Sequence, residues 1–466
     1  MNAAAKIVEK MLPDPQGLDT TAGANPANDP EKLADTSSGE TMKALCWMAK
    51  NKVEVKEVPR PKLVDDHDIL LKVTGSTVCG SDMHLLHGAV LEMQGGDILG
   101  HEGMGIVTAV GPAVKKLKVG DRVVSGFNLG CGECFFCKKK LSSACSKTNN
   151  SAVMASMYGG RSCGMLGYSH FTGGFAGVQA EMARIPHGDV NVIKVPENVA
   201  DEDALYVSDI LVTSYHQVMD TGVNEGDVVG ICGAGPIGLM CAKWSLLKGA
   251  RHVILVDNVQ WRLDHVVERL RATGHADARI DTINFDVDKN VPKKVQELST
   301  PEIEGLDPTR PAGVDVFFEC AAGEYAVGIG HKIELAVGLE TDTSEILNWM
   351  IESTINFGRI GVTGVYAGYT NHFNIGSVME RGLRIIGNGQ APCHKWMSEV
   401  MNDYVATGKV KPTELFVSHR ISIDDIAKCY YLQDKHDEKY KIMKPFVTTR
   451  WSSPPSAGGP QLTKLE

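Results

Sequence analysis

The chain has 466 residues, 43% of them hydrophobic and 22% charged, and its 57 acidic against 47 basic side chains leave a net charge of −10. That length exceeds one ordinary core, and the acidic balance argues against a general binder of nucleic acid or anionic membrane, both of which need basic patches. The uncharged stretch Val228 to Ala242 carries four glycines and a proline and is too short to span a bilayer; no secretory or transit pattern opens the chain, so a cytoplasmic protein with its twelve cysteines reduced is expected.

Residues 1–41 are rich in Pro, Asp, Asn, Gly, Ser and Thr. They offer too little apolar surface to offset ordering entropy, so a disordered tail is expected, with room for one short helix at "AKIVEKML". Over residues 42–206, short β-rich runs such as "DILLKVTGS", "GIVTAVG" and "DRVVSGF" are broken by Gly, Asp and Pro, which predicts a barrel or sandwich. Inside this region "VCGSDMH" brings together a thiol, a hydroxyl, a carboxylate and an imidazole at Cys79, Ser81, Asp82 and His84. A catalytic metal there needs ligands from elsewhere, and "GHEGMGIVTAVGPAV" follows with His101 and Glu102. Next, "CGECFFCKKKLSSAC" places Cys131, Cys134, Cys137 and Cys145 at C-x2-C-x2-C-x7-C. Four thiolates so close match a closed tetrahedral zinc site, which pins a loop and leaves no position for substrate. An iron–sulfur cluster, a nucleic-acid-binding ribbon and chance disulfides are the rivals. The acidic chain and the reducing compartment favour structural zinc.

Residues 207–389 alternate apolar strands ("DVVGIC", "HVILVD", "ARIDTINF", "VDVFFEC", "GRIGVTGV", "LRIIGNG") with helical segments, the pattern of a doubly wound parallel α/β sheet. Leu263, Val266, Val267 and Leu270 follow helical spacing between the second and third. After the first strand stand Gly233, Gly235 and Gly238 at G-x-G-x-x-G, with Pro236 and Ile237 opening a helix. The glycines permit a tight turn, close approach of a pyrophosphate and close helix–strand packing, and the helix N-terminus faces the phosphates. Asp257 ends the next strand, where a carboxylate accepts from both ribose hydroxyls and repels a 2′-phosphate, so NAD is expected over NADP; Arg262 lies near enough in sequence to argue the other way. Residues 390–450 are expected to return to the first domain, and 451–466 to form a loose tail.

Gly100-His101-Glu102-x-x-Gly105-x5-Gly111-x2-Val114 matches, at every fixed position, the zinc signature of the medium-chain dehydrogenases, the zinc alcohol dehydrogenase superfamily. The chain resembles that family from about Met42 to Arg450. The resemblance implies a GroES-like β-barrel catalytic domain plus a Rossmann domain, two zinc ions, NAD, a homo-oligomer (dimer or tetramer), and a small-molecule alcohol or aldehyde substrate. Carried over by position, Cys79 and His101 bind catalytic zinc, with Glu102 beside them as an outer or alternating ligand. Where many relatives have Cys or Glu as third ligand, "YVSDILVTSYH" holds Asp209, whose carboxylate is chemically adequate. The resemblance further implies a proton relay through Ser81 and His84, and Asp82 orienting a zinc ligand.

The "SDI" version of the third ligand resembles the glutathione-independent formaldehyde dehydrogenases and formaldehyde dismutases. In that subgroup an insertion after the fourth strand covers the adenine end of NAD, and here Gly323 to Leu339 would be that cover. Formaldehyde, or another small aldehyde hydrate, is the implied substrate. A larger biosynthetic or polyol alcohol is the alternative, and a non-catalytic NAD-binding redox sensor of the same fold is the reading from a different class.

Overall fold

The computed structural model describes residues 33–300, 306–321, 343–366, 368 and 370–466. Both the "AKIVEKML" segment and Gly323–Leu339 lie outside them. The chain divides into two compact units: residues up to Val212 together with Pro392–Glu466, and Thr213–Ala391. The expected borders at 206/207 and 389/390 thus shift a few residues. The first falls inside the helix Ile210–Thr221, where no turn residue marks it.

In the first unit the main sheet runs in the order Val192–Lys194, Arg122–Ser125, Gly103–Val110, Ile69–Ser76, Lys444–Thr448, Val417–Ser422, with Met182–Ile185 also paired to Ile69–Ser76. A second sheet joins Lys52–Pro59, Thr41–Ala49 and Asp97–Ile98. Alternate residues of these strands point inward, and Ile69, Leu71, Val73, Val107, Val123 and Ile185 make one buried cluster. Gly105 is obligatory, since a Cβ there would stand 2.1 Å from the Lys72 carbonyl oxygen across the pair. The C-terminal segment enters this sheet by pairing Val417–Ser422 with Lys444–Thr448 and Val447 with Ser76. It thereby carries Tyr430 and Lys444 into the unit's interior, both fully buried.

Two expectations about the tails need correction. Leu33 and Ala34 are buried, and the Lys62 and Asp35 N–H groups bond the Leu33 and Arg60 carbonyls, so packed chain begins by residue 33 rather than 42. Residues 451–466 are also anchored: Leu465 is buried beside Tyr430 and Ile442, and the Thr463 N–H donates to the Arg420 carbonyl at 2.7 Å. One buried leucine and hydrogen bonds from Ser452, Ser456 and Thr463 dock this polar tail.

In the second unit six parallel strands run in the order Arg279–Asn284, His252–Asp257, Val228–Cys232, Val314–Glu319, Thr354–Val362, Arg384–Gly387. Five coincide with the strand segments expected from the sequence, and the fifth in chain order overlaps its segment but begins four residues earlier, at Thr354. The order reverses at Val228–Cys232, the switch point at which such sheets bind ligands. Helix Gln260–Ala272 buries Leu263, Val266 and Leu270 as its spacing requires, with Val267 at the edge. Among the described residues no helix is long and apolar enough to cross a membrane.

Gly238 is where this unit is least tolerant, because a Cβ there would sit 1.8 Å from the Gly233 carbonyl oxygen. Gly238→Ala should push the helix Pro236–Leu247 off its strand, at a cost of about 1–3 kcal/mol. The measurement is the thermal midpoint, which should fall; an unchanged midpoint would refute the close packing.

Candidate functional site

Cys79 caps the helix Gly80–Leu86, with extended backbone at φ −109°, ψ 158°. Three residues on, Asp82 turns back, and its Oδ2 accepts the Cys79 N–H at 3.0 Å. The short helix therefore exists in a fixed relation to the thiol. His101 follows Gly100, which takes φ +96° and has no room for a Cβ beside Gln179. Asp209 stands in the bend just before the helix Ile210–Thr221. These separate pieces bring one ligand atom each from Cys79, His101, Glu102 and Asp209 to within 4.8 Å of one another, an arrangement that can hold a metal ion.

The details fit zinc. His101 is 2% exposed, yet neither ring nitrogen has a hydrogen-bond partner within the protein. Its Nε2 lies 3.3 Å from Asp209 Oδ2, and its Nδ1 lies 3.4 Å from Asp82 Oδ1. Two ligands at tetrahedral angles on a metal with bonds of about 2.0–2.1 Å stand roughly 3.3 Å apart, so the Asp209 spacing is that of a ligand pair. Without metal, burial disfavours a charged His101, while Tyr168, Asp82 and Asp209 together raise its pKa well above the usual imidazole range. The surroundings demand positive charge.

Glu102 is drawn elsewhere. Its Oε1 is 3.8 Å from His101 Nε2 but 2.5 Å from Lys444 Nζ, and both partners of this ion pair are 1–2% exposed. Burial alone would favour neutral Lys444, but the Cys79 thiolate and the Glu102 carboxylate outweigh it and raise its pKa. Sequence reasoning missed Lys444; the available signal was a lysine opening the otherwise apolar strand Lys444–Thr448.

Ser81 and His84 lie on the capped helix, His84 in its last turn. Burial raises the Tyr168 pKa and the neighbouring Ser81 works against that rise, and the Tyr168 ring stands edge-on to His101 at 5.1 Å. Tyr168 was also missed, since a tyrosine in a Gly-rich loop announces nothing.

The four-cysteine segment forms a second group that can hold a metal. Cys131 and Cys137 Sγ are 4.0 Å apart, Cys134 and Cys145 Sγ 3.9 Å. That is nearly twice a disulfide bond of about 2.05 Å and close to the roughly 3.8 Å edge of a zinc tetrahedron with Zn–S bonds of about 2.3 Å. Backbone N–H groups of Cys131, Cys134 and Cys137 point at Cys145, Cys131 and Cys134 sulfurs at 3.4–3.5 Å, which suits thiolates. All twelve cysteines of the chain are free.

In the other unit Gly233 takes φ +101°, where a Cβ would meet the Cys320 carbonyl at 2.9 Å, whereas above Gly235 the space is open. Pro236 and Ile237 form the first turn of the helix Pro236–Leu247, for which Gly235 is the cap. Asp257 Oδ2 accepts the Ala234 N–H at 2.6 Å and Oδ1 the Val259 N–H at 2.8 Å, locking the strand end to the glycine turn. Arg262 lies on the helix Gln260–Ala272, its guanidinium 5.5 Å from the Trp261 ring centre. The cradle fits a dinucleotide: open backbone at the turn, and a carboxylate one strand away.

Residues 65–197 match the alcohol dehydrogenase GroES-like domain. A zinc-type alcohol dehydrogenase-like protein of Schizosaccharomyces pombe is 35% identical over 408 residues, covering 86% of this chain and 91% of that protein. A glutathione-independent formaldehyde dehydrogenase of Pseudomonas aeruginosa is 30% identical over 431 residues, covering 86% of this chain and 97% of that one. Among solved structures, the alcohol dehydrogenase of Thermus sp. ATN1 superposes with a TM-score of 0.70 at 28% identity, covering 88% of this chain and 100% of that one. Fold, paired metal-binding groups and sequence agree, and the chain belongs to the zinc-type alcohol dehydrogenases of the medium-chain family.

Proposed function

We propose that Cys79, His101 and Asp209 hold catalytic zinc, that Cys131, Cys134, Cys137 and Cys145 hold structural zinc, and that the chain oxidises a small alcohol or aldehyde hydrate, formaldehyde hydrate included, with NAD. The observation that carries this reading is the buried His101 imidazole, without a protein hydrogen bond and at ligand spacing from Asp209. When bound, zinc supplies Lewis acidity toward the substrate oxygen and NAD supplies the hydride acceptor. The protein's own work is then positional and protonic. Asp82 fixes the His101 ring and the Cys79 backbone. Lys444 takes up the Glu102 carboxylate, so that this fourth acidic group is not needed as a ligand and a coordination position stays open for substrate. Ser81, beside Tyr168, receives the substrate's hydroxyl proton, and His84 on the same helix carries it outward. The Asp257 carboxylate at the nucleotide turn supports NAD over NADP. Twelve cysteines with no disulfide among them support a cytoplasmic setting.

The formaldehyde reading rests on the likeness to the Pseudomonas aeruginosa enzyme over nearly the whole of both chains. A carboxylate third ligand adds to it, since it leaves a less thiolate-rich and more electrophilic metal than a second cysteine would.

Cys79→Ser and Asp209→Asn should each lower zinc content by one ion and reduce kcat/KM by at least about 100-fold, a ligand mattering no less than outer-shell partners whose loss costs about 10–100-fold. Zinc analysis with NADH production on a panel of alcohols and aldehydes checks this; unchanged zinc and turnover would refute the ligand set. On the same panel formaldehyde should give the highest kcat/KM, with NAD preferred to NADP by at least about tenfold, since a misplaced charge typically costs more than 1.4 kcal/mol. Faster turnover of a longer alcohol would shift the assignment to that substrate.

A further inference from the structure

Asp82 is itself held, and by residues from distant parts of the chain. Gln179 Nε2 donates to Asp82 Oδ2 at 3.1 Å and to the Thr77 carbonyl at 2.9 Å. The Tyr430 hydroxyl donates to Gln179 Oε1 at 2.7 Å. Asp82, Gln179 and Tyr430 are all 0% exposed. The direction of this chain is forced by chemistry. The Asp82 carboxylate can only accept, so Gln179 must face it with its amide nitrogen; its oxygen then needs a donor, and Tyr430 supplies one. Gln179 is fixed at its backbone too, through bonds with Leu99 and Leu45. Gly100 makes room for it, since a Cβ there would lie 2.3 Å from Gln179 Cγ.

The geometry points to Gln179 and Tyr430 as positioning residues for the catalytic metal, acting through Asp82 on His101 and Cys79. This inference rests on the ligand set proposed above. Asp82 Oδ2 binds the Cys79 N–H while Oδ1 faces His101 Nδ1. A carboxylate free to rotate would release both ligands at once. Held by Gln179, it keeps Oδ1 opposite the Nδ1 side of the imidazole at 3.4 Å, which leaves Nε2 turned to the proposed metal position. Tyr430 comes from the C-terminal helix Ile426–Asp434, so the return of the chain end to the first unit does more than close a sheet. It completes the metal's outer support.

Tyr430→Phe removes one oxygen from this chain and leaves the volume nearly intact. Zinc release to a chromophoric chelator should show two phases in the wild-type protein, one for each metal group. In Tyr430→Phe the catalytic-site phase should quicken by about tenfold or more, with the four-cysteine phase unchanged. After cobalt(II) substitution of the catalytic site, the ligand-field band of Tyr430→Phe should also move. A wild-type release rate together with a wild-type cobalt spectrum would overturn the inference, as would a lowered thermal midpoint accompanied by an unmoved spectrum, which is the mark of packing alone. Should Tyr430→Phe fail to fold, Gln179→Met carries the same expectation and the same overturning result. Failure of the ligand set itself looks different: Cys79→Ser would then retain both zinc ions.

Discussion

Buried negative charge is the constraint around which the first unit is organised. Cys79, Asp82, Glu102 and Asp209 converge, with Asp82 and Glu102 shut off from water and Cys79 and Asp209 partly buried, and an unpaired buried ion costs several kcal/mol. Two kinds of positive charge offset that cost. Lys444 takes Glu102 in an ion pair shielded from solvent, and in the proposed ligand set zinc would answer the Cys79 thiolate and the Asp209 carboxylate. Asp82 is held by hydrogen bonds from the Cys79 N–H and the Gln179 amide.

The fold serves this by letting no single element own the site. Cys79 comes from a helix cap, His101 and Glu102 from the turn after a short strand, Asp209 from the bend before a long helix, and Lys444 from a strand near the chain end. Each position is set by backbone geometry rather than by side-chain flexibility. Gly100 in its left-handed conformation and the Asp82-capped turn are the two points where that geometry is most demanding. In the second unit the equivalent demand falls on Gly233 and Gly238, where the chain must pass close to itself.

Much of this was legible in the sequence because it is written in local patterns. The cysteine spacing, the glycine turn with its downstream Asp257 and the six apolar strands are short-range signals, and the first-unit strands follow the same alternation. Asp209 became readable only through resemblance, because an aspartate before a helix is ordinarily a cap. Tyr168, Gln179 and Tyr430 were not legible at all, and Lys444 only as a lysine opening an apolar strand. Each does its work through a partner between 87 and 342 residues away, and neither periodicity nor spacing encodes such pairs. The tails mislead for a related reason: composition reports that a segment is polar on average, while a single buried leucine, at 465 or at 33, and a few hydrogen bonds decide whether it docks.

The most direct test of the account is anomalous diffraction from crystals of the protein as purified, recorded on both sides of the zinc absorption edge. The account predicts two peaks per chain that vanish below the edge, one enclosed by Cys131, Cys134, Cys137 and Cys145 and one touching Cys79, His101 and Asp209, with Glu102 still on Lys444. A single peak in the cysteine lobe, or a second one bonded to Glu102 with Asp209 turned away, would contradict it.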